Sequence, residues 1–480
     1  MIPSQRSEPR RLRILVIALL LSSFVLSFGF YFELFLTITP LFKRLAPQPP
    51  IPERPSTLLE SVIGMVRISS YQIMALATSA DFLRLFLALS LTIVFLNELS
   101  YLPLGWLHRY VSERFRTNPL TRYPLVSVIV PAYNEERTIK DTLETLLEAN
   151  YPNKEIVVVN DGSTDHTGYV VLPYAREGKV QLINRPNGGK AAATNTGLAL
   201  ASGDIVVLID ADGAVERQAL TWLVSHFQQP DVIAVSGSPK VGNRDTNLLT
   251  RLQALEYVRG INLRRRAFDL LNTMECIPGS IGAFRRGVTI DVGRYDRDTV
   301  VEDMDLTVRL IKTRGLVRQE NRAIAYTEAP ETLRDFIRQR LRWYGGGLQV
   351  VLKHRFFWWR FGAFSFLGYP YMVAGMTLVP VFELLLVALS IVQILAGMWL
   401  FQLLYWSAIA IVDVLFSVSA VLLDREDWRL ILCSPIYALF YRPFNDIIRL
   451  KSYWNLARGR LLWQRTRAER QGGLTSRIRI

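Results

Sequence analysis

Apolar runs of membrane length bracket a middle segment of a different kind, and this layout constrains the fold more than any single residue does. Residues 14–32 carry no charge, and a helix of that length crosses a bilayer. Residues 361–423 are almost continuously apolar, interrupted mainly by Glu383, Asp413 and two prolines, which is enough chain for two spans. Another apolar stretch, about 85–107, sits between them. The pattern predicts a soluble domain held between membrane segments. The first run reads as an anchor and not a cleaved leader: it is long for a leader's apolar core, and no small-x-small site follows it. The stretch Pro47-Gln-Pro-Pro-Ile-Pro52 reads as an extended loop on the far side of the membrane.

A chain of 480 residues exceeds one typical core, so at least two structural units are expected. The net charge of +14 gathers beside the apolar runs, with Arg10, Arg11 and Arg13 before the first and Arg458, Arg460 and Arg465 after the last. Basic flanks of this kind mark the cytoplasmic side and contact anionic lipid, so no nucleic-acid partner is expected. Cys276 and Cys433 lie far apart and form no disulfide framework, which fits a reducing cytosolic face. The scattered histidines suggest no zinc site. Residues 331–360 read as basic interfacial helix ending in Phe356, Phe357, Trp358 and Trp359. Residues 429–453 carry Arg442, Asn445 and Asp446. A full crossing there after two spans would put the basic tail outside. The reading is therefore one interfacial or re-entrant C-terminal segment, or a third crossing within 361–423.

From about 125 to 238 the pattern becomes alternating β and α. Strand-like runs at 126–130, 155–160, 180–184, 204–210 and 232–235 are separated by helical segments such as 136–148 and 191–201. Short β-branched runs joined by helices predict a mostly parallel sheet with right-handed crossovers. Ligands of such sheets sit at the carboxyl ends of the strands, and Asp161, Asp210 and Asp212 all fall there.

Asp210-Ala-Asp212 sets two carboxylates one residue apart, an arrangement able to hold Mg2+ or Mn2+ against a diphosphate. An ordinary acidic turn is the bland alternative. Asp161, before Gly162, offers acceptors to a base or ribose, or simply belongs to a strand-to-helix cap. Lys190 follows Asn187-Gly-Gly at a helix start, where backbone N–H groups and an ammonium meet phosphate. The spacing is not that of a P-loop. Glu302-Asp303 can supply a general base, or merely begin a helix. Gln339, Arg342 and Trp343 lie on one predicted helical turn, where arginine can neutralise a leaving diphosphate and tryptophan can face a sugar ring. An interfacial Arg-Trp pair is the plain reading.

In this order the motifs resemble the processive enzymes of glycosyltransferase family 2, which include cellulose, chitin, hyaluronan and poly-N-acetylglucosamine synthases. Pro131-Ala-Tyr-Asn-Glu135, Asn160-Asp-Gly-Ser163, Gly237-Ser-Pro239 and Pro330-Glu-Thr-Leu333 look most like the bacterial poly-β-1,6-N-acetylglucosamine branch. The resemblance covers about 120–350 in detail. It implies an α/β GT-A domain with a Rossmann-like parallel sheet, embedded between transmembrane and interfacial helices. The implied layout is a membrane region over 1–119, a cytosolic GT-A domain over 120–330 and interfacial helices over 331–360. A C-terminal membrane region over 361–453 and a basic cytosolic tail over 454–480 complete it.

The resemblance further implies that Asp161 contacts uridine with Tyr133 and Glu135 nearby, and that Asp210 and above all Asp212 hold metal and diphosphate, assisted by Lys190. Asp303, beside Glu302, becomes the base, Arg342 a diphosphate ligand, and Trp343, with Gln339, part of the acceptor platform. Pro278-Gly-Ser280 departs from the Phe-Phe-Cys-Gly loop of cellulose synthases. The implied activity is inverting, processive transfer from a UDP-sugar, best UDP-N-acetylglucosamine, to an exopolysaccharide exported through the bacterial inner membrane. A small membrane partner subunit is compatible with it. The alternatives are a β-glucan synthase, a non-processive transferase to a lipid acceptor, and an inactive transport or scaffold subunit.

Overall fold

The computed structural model describes residues 79, 86–87, 89–90, 101–115, 120–355 and 362–459. The expected anchor at 14–32, the Pro-rich loop, most of the first half of 85–107, the aromatic run 356–359 and the tail beyond 459 lie outside these residues. The chain divides into two compact units. One takes residues 104–376, 417–433 and 448–480; the other takes 1–103, 377–416 and 434–447.

The strands are β1 (Val126–Ala132), β2 (Lys154–Asn160), β3 (Gln181–Asn184), β4 (Ile205–Leu208), β5 (Ala214–Val215), β6 (Val232–Val241), β7 (Gly282–Arg285) and β8 (Leu316–Thr327). The helices are α1 (Tyr101–Phe115), α2 (Ile139–Glu148), α3 (Thr167–Arg176), α4 (Lys190–Leu200), α5 (Ala219–Ser225), α6 (Leu248–Glu256), α7 (Arg264–Leu271), α8 (Arg286–Asp291), α9 (Glu302–Lys312), α10 (Leu333–Lys353), α11 (Tyr369–Leu395), α12 (Trp399–Asp424) and α13 (Arg442–Ala457).

All eight strands form one sheet in the order β3-β2-β1-β4-β7-β6-β8-β5. The first four are parallel, as their β-branched runs and helical crossovers predict. Beyond β4 the sheet is mixed, because β7 runs antiparallel to both β4 and β6. Strands β6 and β8 pair parallel to each other, so the mostly parallel expectation holds, with β7 and the short β5 as the antiparallel exceptions. Strand β1 is buried on both faces, and its residues divide by the two-residue period of a strand. Val126, Val128 and Val130 pack with Ile139, Leu143 and Leu146 of α2, at helical spacing. Ile129 packs on the opposite face with Leu198 of α4. Burial on both faces fixes the register, since a one-residue slip would exchange the two sets.

In the other unit, Phe86, Leu87, Val379, Leu386, Met398, Phe401 and Tyr405 form an apolar cluster. The stretches Phe364–Leu395 and Trp399–Asp424 are the two described helices long and apolar enough to cross a membrane. The segment expected to be interfacial or re-entrant is broken into a 3-10 turn (Trp428–Cys433), a π turn (Tyr437–Tyr441) and α13. Glu383 and Asp413 both meet Arg442 here, and Asp413 also accepts from Ser434 Oγ at 2.5 Å. Charges in apolar surroundings are expected to pair in this way.

Candidate active site

Two turns at the carboxyl ends of β2 and β4, and the first turn of α9, carry the acidic residues. At the end of β2, Asp161 N donates to Ala132 O at 2.9 Å, tying the turn to β1. The Asp161 carboxylate accepts from Arg185 Nη1 at 2.6 Å, from Gly188 N at 3.1 Å and from Gly189 N at 2.8 Å. Burial pushes its pKa up against these bonds. Gly162 has φ +71°, and a Cβ there would stand 2.6 Å from Asn187 N, so glycine alone fits. Tyr133 precedes Asn134, which adopts φ 57° and accepts from Thr164 N at 2.8 Å. Glu135 accepts from Thr138 Oγ1 at 2.8 Å. Its surroundings place it with the second acidic turn more than with Asp161: desolvation, then the charges of Asp212 and Asp210, push it up to about 7.

In that second turn, Asp210 Oδ1 lies 2.5 Å from Lys190 Nζ, at the first residue of α4. Desolvation and the Asp210 charge push Asp212 up to about 6. Burial opposes the Lys190 ammonium, but Asp210, Glu302 and Asp303 hold it charged and raise its pKa. One lysine therefore stands between two acidic motifs nearly a hundred residues apart in sequence. Gly279 closes in on the same lysine, since a Cβ there would lie 2.7 Å from Nζ.

The third turn opens α9, whose first turn carries Glu302, Asp303 and Asp305. A helix N-terminus favours negative side chains. Burial and the Asp303 charge raise Glu302, against Lys190 and Arg342. Arg342 is thus brought to the acidic pair. Asp303 Oδ1 accepts from Met304 N at 2.8 Å. Burial and the neighbouring Asp303 carboxylate push the Cys276 thiol and the Tyr295 hydroxyl well up.

Gln339 and Trp343 surround a residue that the sequence reading passed over. Arg340 is fully buried and pairs with Glu256, and it bonds to Gln339 Oε1 at 3.2 Å. Its guanidinium lies 4.3 Å from the Trp343 ring centroid and 4.7 Å from that of Phe336, which fixes the tryptophan plane. Tyr257, in the π turn Tyr257–Leu263, was also missed. Burial pushes it up to about 12, and it feels both Arg340 and Asp212. Such π turns often mark functional sites, but they leave no signature in sequence.

The donor set at Asp210 and Asp212 fits a divalent cation of the Mg2+ or Mn2+ kind. Its ligands are hard oxygens, and burial with mutual repulsion raises Asp212 and Glu135, which a bound divalent cation would offset. A second acidic group, Asp296, Asp298 and Asp305, does not fit one. Lys353 Nζ already sits 2.9, 2.8 and 2.9 Å from these three carboxylates.

Residues 127–293 match the glycosyl transferase family 2 model. The chain is 32% identical over 235 residues to the poly-beta-1,6-N-acetyl-D-glucosamine synthase of Staphylococcus epidermidis, which is 48% of this chain and 56% of that one. The synthase of the same name from Staphylococcus aureus is 32% identical over 233 residues, again 48% and 56%. The chain thus spans about half the length of these relatives. The mannosyltransferase PcManGT of Pyrobaculum calidifontis, solved with GDP-Man and Mn2+, superposes with a TM-score of 0.54 at 22% identity. The superposition covers 80% of this chain and 99% of that one, a likeness of fold. Through residues 127–293, then, the chain carries a family 2 glycosyltransferase domain on the GT-A fold.

Proposed function

We propose that the chain is an inverting, processive membrane transferase that adds N-acetylglucosamine from a UDP donor to a β-linked exopolysaccharide and exports it through its apolar helices. The observation that carries this reading is the sharing of Lys190 by Asp210, Glu302 and Asp303. In that reading a diphosphate-type cation, a metal-type carboxylate pair and a base serve one donor and one acceptor. The choice of sugar rests on the synthases to which about half the chain is similar.

In the reaction, Asp303 takes the proton of the acceptor hydroxyl, and the oxygen attacks the anomeric carbon. The new C–O bond forms as the bond to the diphosphate breaks, and UDP leaves with the electron pair. Lys190 and Arg342 neutralise that charge, a task worth several kcal/mol in such sites, on the order of 10²–10³ in rate per donor. A divalent ion held by Asp210 and Asp212 would supply further charge neutralisation. Asp161 orders the loop before α4, so that uridine is read by a turn already fixed. Trp343, held flat by Arg340, offers its ring to the acceptor.

The test is polymer formation and UDP release by the full chain in membranes. UDP-N-acetylglucosamine and UDP-glucose are each supplied with Mg2+ or Mn2+, beside an Asp303→Asn control. Polymer from the N-acetylglucosamine donor alone, lost in the variant with donor binding kept, is the expected result. Polymer from UDP-glucose would keep the mechanism and overturn the sugar. Polymer made by Asp303→Asn would remove the base.

A further inference from the structure

Residues 248–271 run as α6, the π turn and α7. Arg264, Arg265 and Arg266 open α7, and successive helical residues point about 100° apart, since a turn takes about 3.6 residues. The three arginines diverge accordingly. Arg264 pairs with Glu275, and Arg266 pairs with Asp424 at 2.7 Å. Arg265 turns into the active site. Its titratable neighbours there are Cys276, Asp303 and Tyr257, and its Nη1 is buried with no hydrogen-bond partner among the described residues. Asp303 Oδ1 is engaged by Met304 N at 2.8 Å. Buried donors in native proteins are almost always satisfied, so this N–H is directed at something that enters the site.

We infer that Arg265 is an acceptor-binding residue, whose Nη1 donates to an oxygen of the terminal acceptor sugar and holds the attacking hydroxyl against Asp303. The inference rests on the transferase reading above, in which Asp303 is the base. It favours the acceptor over the diphosphate because the cations near the acidic motifs are otherwise placed: Lys190 lies on Asp210 and Arg342 near Glu302. Arg265 faces Cys276 instead, two residues before the loop Pro278-Gly-Ser280. It takes no proton, since that passes from the hydroxyl to Asp303.

Steady-state kinetics of the full chain in detergent, with UDP-N-acetylglucosamine, Mg2+ and short β-linked N-acetylglucosamine oligosaccharides as acceptors, tests the assignment. Arg265→Ala is expected to raise the acceptor KM by at least about tenfold, as loss of a charge-assisted bond does. The donor KM should stay within about twofold. Arg265→Lys, which keeps the charge and guards against a folding defect in the alanine variant, should fall between. Equal rises in donor and acceptor KM would make Arg265 a diphosphate ligand and overturn the proposal, as would an unchanged acceptor KM. A wild type inactive with either UDP-N-acetylglucosamine or UDP-glucose would count against the transferase reading instead. Arg265 is then read by oligosaccharide binding, followed through tryptophan fluorescence. Weaker binding in Arg265→Ala supports it, and equal affinity overturns it.

Discussion

Two groups in the same compact unit each gather several carboxylates about one lysine, yet their electrostatics are opposite. Around Lys190, Asp210 alone among the described residues is within ion-pair distance, at 2.5 Å, and desolvation with mutual repulsion pushes Glu135 to about 7 and Asp212 to about 6. Around Lys353, all three carboxylates pair with Nζ; Asp305 also binds Arg309 at 2.8 Å and His354 at 2.9 Å. There the lysine's hydrogen bond holds Asp296 below its usual range, and the bonds from His354 and Lys353 hold Asp305 below its own against burial. Carboxylate clustering is common to both, so clustering does not mark a cation site. What separates them is compensation: in the first group burial and repulsion disfavour ionisation that a bound cation would restore, and in the second the charges are already paired within the fold.

The strongest way to break this contrast is Asp305→Asn. It leaves Arg309, Lys353 and His354 around a neutral amide, and loss of a buried partner costs about 3–5 kcal/mol. Thermal unfolding in detergent should show a fall of several degrees, with donor KM unchanged in the folded fraction. The pH dependence gives the sign independently. A depressed carboxyl pKa contributes stability that is present above the unfolded value, about 3.9, and is lost as pH falls through the lower folded value. Wild type should therefore lose stability below about pH 4, and the Asp305→Asn profile should be flatter there.

Asp212→Asn should do the reverse. Loss of a group that meets developing charge costs about 10²–10³ in kcat, while relief of repulsion leaves the melting temperature equal or higher. A marked drop in stability would place Asp212 with the structural group. Lys190→Met sharpens the contrast further. Donor KM should rise about tenfold, as for one lost charge-assisted contact. The donor-free protein should bind Mn2+ more tightly, since the competing ammonium is gone; calorimetry reads this directly. The smallest effect is expected of Lys353→Met, about 1 kcal/mol or less, because two of its three partners are half exposed and screened.

The parts legible in sequence were those written locally. Strands β1 to β4 follow from β-branched runs, and Asp161, Asp210 and Asp212 fall at their ends because a strand's end is visible in the chain. Strand β7 was not foreseen: four residues, Gly282–Arg285, carry too little pattern, and their antiparallel insertion depends on neighbours far off in sequence. The same reason hid Arg265, Cys276, Tyr257 and Tyr295, which reach Asp303 or Asp212 only through the fold. A run of three arginines reads as a solvated basic face, and nothing in its composition says that the middle one turns inward. Arg340 was missed for the opposite reason. It lies in the stretch 331–360 that reads as basic interfacial helix, whereas it is buried and paired with an acid from another helix, Glu256.

Gly279 gives the loop before β7 no slack toward Lys190, because even one methyl there would sit 2.7 Å from the ammonium. The lysine and the loop share a single clearance. Any side chain at residue 279 would crowd the ammonium off Asp210, so the bare backbone of this loop is what lets that ion pair form.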